Sequence, residues 1–102
     1  MNFFDIAQVP NTGEIFETIY ANNDISIERI ISSDKQEDKI YKQDHDEWVM
    51  LMDGSAVLEI DDIELELKKG DFLLIEKGKV HKVLKTEKGT IWFCVHMKRN
   101  DR

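Results

Sequence analysis

Ile63-Glu64-Leu65-Glu66-Leu67-Lys68 puts an apolar residue at every odd position and a charged one at every even position. That is the mark of a strand with one buried face. Asp61-Asp62 precedes it and Lys69-Gly70 follows, and the same kind of turn signal recurs at Asp53-Gly54, Lys77-Gly78 and Lys88-Gly89. The stretches between these turns are too short for ordinary helices and suit strands of about 5 to 8 residues. Ala56, Leu58 and Ile60 repeat the alternation, while Phe72-Leu73-Leu74-Ile75 is apolar at both parities, which predicts a central strand covered on both faces.

The N-terminal half extends the pattern. Glu14 to Tyr20 and Asp24 to Ser32 are rich in Ile, Phe, Thr and Tyr, with Asn22-Asn23 between them as a hairpin turn. Asn2 to Pro10 reads as a short helical turn or an arm whose Phe3-Phe4 pair needs a surface to pack on, and Ser33 to Lys39 reads as a polar loop. Eight or nine short strands in about 85 residues, with fewer than about 15 residues in helix, predict an all-β sandwich or small barrel of jelly-roll type.

The 102 residues, 41% hydrophobic and 34% charged, support one core and one domain over 1–102, with an arm at about 1–13 and a barrel at about 14–98. Fourteen Lys and Arg against 21 Asp and Glu leave a net charge of −7, with no basic stripe, so nucleic acid is not an expected partner. The longest apolar run, Ile91 to Val95, is far short of the roughly 20 residues that a membrane-spanning helix needs. Met1 to Pro10 has no basic segment followed by an apolar stretch, and the single Cys94 cannot form an internal disulfide. The expected compartment is the cytoplasm.

Tyr41, Gln43, His45 and Glu47 share one parity, with Asp44-His45-Asp46 reading as a hairpin loop before a strand over Glu47 to Met52. Val49 and Leu51 share the face of Glu47, whereas Trp48, Met50 and Met52 make the opposite face equally apolar. A carboxylate opening such a strand is costly unless it is paired, hydrogen-bonded or bound to metal. Its bland alternative is a solvated carboxylate at a hairpin shoulder. The outward Trp48-Met50-Met52 face and the Phe3-Phe4 arm both predict a homodimer.

Glu47, six residues and Gly54, followed by Gly70, Gly78 and His81 at fixed spacing, resemble the two motifs of the cupins over roughly Tyr41 to Lys85. Further segments, Glu14-Ile15-Phe16-Glu17-Thr18, Asp46-Glu47-Trp48-Val49 and Thr90-Ile91-Trp92, resemble short single-domain bacterial cupins. The resemblance implies a single jelly-roll (double-stranded β-helix) barrel. It also implies that Glu47 and His81 are carried over as ligands of a divalent metal, with Gln43 as a weak oxygen donor and all three lining a ligand cavity. Tyr41 and Gln43 stand where the first motif has its two histidines, and Glu76 and Lys85 replace the Pro and Asn of the second. Losing two imidazoles shifts any metal preference toward harder ions.

Two histidines remain to be placed. His45 reads as a solvated loop residue, or, with a shifted hairpin, as an occupant of the metal place. Trp92, Cys94 and His96 share one face of the last strand, so Cys94 is either an inert core thiol or the partner of a catalytic histidine, and His96 is a candidate pocket wall. Three functions follow: a barrel that binds a small polar ligand with or without metal, a metal-dependent enzyme of oxygenase or isomerase type with Tyr41 as proton donor, and a protein-interaction module.

Overall fold

The computed structural model describes residues 1–98. Those residues form nine strands and no helix: β1 (Glu14–Ala21), β2 (Ile25–Ser32), β3 (Tyr41–Lys42), β4 (Asp46–Asp53), β5 (Ser55–Ile60), β6 (Ile63–Lys68), β7 (Phe72–Ile75), β8 (Val80–Thr86) and β9 (Thr90–Met97). They pair antiparallel in two sheets, one ordered β1-β2-β9-β4-β7 and the other β3-β8-β5-β6. The fold is all-β, a jelly-roll barrel closed by two facing sheets.

The turns carry the local chemistry that the strands require. Asn22 Oδ1 accepts from the backbone N–H groups of Asp24 and Ile25 at 2.8 and 2.9 Å, closing the β1–β2 hairpin. Asp61 and Asp62 take positive φ angles of 47° and 68° in the two-residue β5–β6 turn, the conformation that matches the twist of the flanking strands. Gly54, at φ 92°, joins β4 to β5, and a Cβ there would lie 2.9 Å from the Thr90 Cα. Close backbone approach, as well as φ, therefore requires glycine.

Inward-facing residues change character along each strand of the larger sheet. In β4 the row runs Glu47, Val49, Leu51, and in β9 it runs His96, Cys94, Trp92, with Glu47 opposite His96, Val49 opposite Cys94 and Leu51 opposite Trp92. In β2 it runs Glu28, Ile30, with Glu28 opposite Cys94 and Ile30 opposite Trp92. One end of the barrel is thus an apolar core of Ile30, Val49, Leu51, Ala56, Leu58, Leu67, Ile75, Trp92 and Cys94. The other end gathers carboxylates and imidazoles.

Three expectations are corrected. Phe72-Leu73-Leu74-Ile75 is an edge strand, not a central one: Ile75 is buried, but Phe72 and Leu74 are 63% and 49% exposed. Residues Tyr41 and Glu47 do not flank a hairpin, because β3 pairs with β8 and β4 with β9 and β7, so residues 43–45 carry the chain from one sheet to the other. In β6 the alternation is real, yet only Leu67 is buried and Ile63 is 64% exposed, since the strand lies at the edge of its sheet. The segment Asn2 to Pro10 is an arm without helix. Its Phe3 ring packs edge-on against Phe93 at 5.6 Å, while Arg29 lies over that ring and donates to the Phe3 and Asp5 carbonyls.

Candidate functional site

The polar end of the barrel holds a cavity of about 70 Å³. β1 and β2 give it Glu14, Phe16, Glu28 and Ile30; β3 and the crossing segment give Tyr41 and Gln43; β4 gives Glu47 and Val49; β8 gives His81 and Val83; β9 gives Trp92, Cys94 and His96. Tyr41, Gln43, Glu47, His81 and His96 thus face one space. Glu28 and Glu14 join them unannounced by the sequence reading. The signal for Glu28 was its parity with Ile30, hidden because β2 carries isoleucine on both faces.

Most polar groups in this wall are partnered. His96 Nε2 donates to Glu28 Oε1 at 2.8 Å and lies 3.9 Å from Glu47 Oε2. That bond to Glu28 raises the affinity of His96 for its proton, against the opposing effect of burial. On the other ring edge, His96 Nδ1 is 2.9 Å from His45 Nε2, and His45 Nδ1 is 3.1 Å from Asp44 Oδ1. His45 is therefore neither a free loop residue nor at the metal place, but a second layer behind His96. Across the cavity, Trp92 Nε1 donates to Ser32 Oγ at 2.9 Å and Ser32 donates to Glu14 Oε2 at 2.5 Å.

Burial pushes the Glu14 carboxyl up, with nearby Glu47 adding to the effect. The Tyr41 hydroxyl is raised by desolvation and then by Glu14, Glu37 and Glu47. The Cys94 thiol is pushed far up by burial and by the nearby carboxylates of Glu47, Glu28 and Glu14. Cys94 is 1% exposed and its thiol is held protonated, the setting of an inert core thiol rather than of a nucleophile.

Among the described residues two buried side-chain atoms have no partner: Gln43 Oε1 and His81 Nδ1. His81 is 7% exposed, stacked on the Tyr41 ring at 5.4 Å, and its charged form is disfavoured by burial more than it is helped by Glu47. Glu47, 5% exposed, influences His81 through its charge rather than through Nδ1.

The divalent metal that the motif spacing implies can be tested against these donors. Among the described residues no three His, Cys, Asp or Glu side chains come together as a metal-holding group. Tyr41 covers one face of the His81 ring where the motif has an imidazole. Such a set does not fit a tightly held resident ion.

Comparison with known proteins agrees with this architecture. The family model for the cupin domain matches residues 33–96. A Ralstonia eutropha JMP134 protein, provisionally named a mannose-6-phosphate isomerase, is 32% identical over 97% of each chain, with a TM-score of 0.84. A double-stranded β-helix protein of Klebsiella pneumoniae subsp. pneumoniae MGH 78578 superposes with a TM-score of 0.83 at 19% identity, covering 100% of this chain and 91% of its own. An RmlC-like cupin from Shewanella frigidimarina NCIMB 400 gives 0.78 at 14% identity, over 95% and 86%; these two likenesses concern the fold alone. No curated protein matches significantly in sequence. With its motif spacing, its two-sheet barrel and the family match over most of its length, the chain belongs to the cupins.

Proposed function

We propose that the chain, as an arm over about 1–13 and a barrel over about 14–98, binds a small polar ligand inside the barrel, with Gln43, Glu47, His81 and His96 as the contacting residues. The carrying observation is the pair of unpartnered buried atoms, Gln43 Oε1 and His81 Nδ1, on the wall of one cavity. An unfilled buried polar atom costs free energy of about 1–3 kcal/mol, and a bound polar molecule removes that cost. The protein works, on this reading, as a cytoplasmic homodimer.

A second reading, the metal-dependent enzyme, is supported by the place of Glu47, His81 and Gln43 on the same wall. In it Tyr41, whose raised pKa keeps it protonated, donates a proton to substrate. Protein purified without an affinity tag or chelator distinguishes the two. Isotope-labelled protein is titrated with Mn²⁺, and separately with a set of small polyols, amines and carboxylates. Shifts at Gln43 and His81 with an organic compound in metal-free protein support ligand binding. Stoichiometric Mn²⁺ bound at those residues and lost in His81→Ala supports the enzyme. Silence of every organic compound overturns the proposal.

A further inference from the structure

The cavity wall is one-sided in charge. Three carboxylates, Glu14, Glu28 and Glu47, line it, and among its described lining residues there is no Lys or Arg. His96 is already engaged by Glu28 at 2.8 Å, and the lysines whose charge reaches these groups, Lys39 and Lys98, lie outside the lining. Gln43 Oε1 is an acceptor, and His81 Nδ1 is an acceptor in the Nε2–H form of the neutral ring. We infer that the ligand is a small organic cation, a primary ammonium carrying at least one further hydrogen-bond donor, held between Glu47, Gln43 and His81.

The inference rests on the ligand-binding reading above and narrows it to one chemical class. His81 is more than nine-tenths buried with an unpartnered nitrogen on the cavity wall, so the acidic residues are not the sole sign of a site. The three carboxylates come from three different strands, Glu14 from β1, Glu28 from β2 and Glu47 from β4, so the negative potential is built from several sides of the wall. An ammonium gains from that potential and donates to the open acceptors in one step. The aromatic side chains of Tyr41, Phe16 and Trp92 belong to the same wall, and aromatic rings attract a cation and pack on a short carbon stem. A phosphate ester or carboxylate would meet the carboxylates of Glu14 and Glu47 and leave Gln43 Oε1 unfilled, so the activity named for the Ralstonia protein does not pass to this cavity by resemblance. About 70 Å³ accommodates about five water-sized groups, which limits the ligand to a few non-hydrogen atoms.

Ethanolamine, ethylene glycol and glycolate have nearly the same size and differ in charge. Each is titrated into labelled protein at pH 7, following the Gln43 side-chain amide and the His81 ring nitrogens. Ethanolamine is expected to bind about tenfold tighter than ethylene glycol, to weaken as salt is raised, and to shift both residues, with glycolate silent. Glu47→Gln and, as a second variant against misfolding of the first, Glu14→Gln should each reduce the ratio of ethanolamine to ethylene glycol affinity. Equal or tighter binding of ethylene glycol or glycolate at Gln43 and His81 overturns the cationic class but leaves ligand binding standing. Silence of all three at those residues overturns the class, and the wider compound set then decides whether the ligand site itself survives.

Discussion

Glu47 and His96 sit directly opposite each other in the β4–β9 ladder, with His96 Nε2 3.9 Å from Glu47 Oε2 and 2.8 Å from Glu28 Oε1. One imidazole thus serves carboxylates from the strands on either side of its own. The chemistry at this end of the barrel follows from strand register, because a two-residue slip of β9 would bring Cys94 into that place.

Two of the histidines should oppose each other in the pH dependence of stability. The folded-state pKa of His96 is raised above 6.5, so its contribution is full below that value and is lost as pH rises through the raised value. His96→Gln should therefore lose most stability near about pH 5.5 and least near about pH 8. His81 is the reverse: its folded-state pKa lies below 6.5, so the unfolded chain takes up the proton first and stability falls as pH drops below 6.5. His81→Gln should flatten that acid limb. Urea titrations across the range check both signs.

Gly54 and Gly78 both have positive φ, 92° and 84°, but only Gly54 faces a neighbouring backbone. Gly54→Ala should cost about 2–3 kcal/mol, combining strain with displacement of Thr90. Gly78→Ala, with open space at its Cβ, should cost about 1 kcal/mol. Equal costs in chemical denaturation would remove the role given to the Thr90 contact.

Native Cys94 should be inert. Its thiol is buried and surrounded by Glu47, Glu28 and Glu14, so a thiol reagent at neutral pH should react about a hundredfold slower than with the unfolded chain. Glu47→Gln should lower the thiol pKa without exposing the sulfur, which separates electrostatic protection from steric protection in the pH profile of the rate.

The homodimer proposal is directed by the fold to a different part of the outer face than Trp48, Met50 and Met52 alone. Phe3 from the arm already packs on Phe93, and Trp48 lies between Phe93 and Phe72 at 5.9 and 5.7 Å. Phe72 and Leu74 on the edge strand remain open. Sedimentation of the native protein at high micromolar concentration should give a dimer, and Phe72→Glu combined with Leu74→Glu should give a monomer. A native monomer would remove the proposal, and a dimeric double variant would move the interface elsewhere.

Much of this was legible in the chain. Alternation in β5 and β6, the glycine turns and the spacing of Glu47, Gly54, Gly70, Gly78 and His81 identify an all-β cupin barrel, because each is a local or fixed-interval signal. What escaped depends on strand order. Sequence alone cannot tell that Phe72 to Ile75 lies at an edge, since apolar residues at both parities look the same whether the second face is covered by a sheet or left open. Asp44-His45-Asp46 reads as a hairpin loop because loop length is local, whereas the passage of residues 43–45 between sheets is set by the pairing of β3 with β8 and β4 with β9. Glu28 and Glu14 escaped for a third reason: a carboxylate in an Ile-rich or Phe-rich strand looks solvated until its neighbours across the ladder are known.

The β5–β6 turn reaches further than its own hairpin. Asp61 N–H donates to the Val80 carbonyl at 2.9 Å, and its carboxylate accepts from Val80 N–H at 3.0 Å, so the turn grips the residue immediately before His81 from both sides. The placement of that ring is therefore written partly in a surface turn that no ligand touches. Changes at Asp61 offer a mutational route for retuning the cavity, by nudging one wall while every lining side chain keeps its identity.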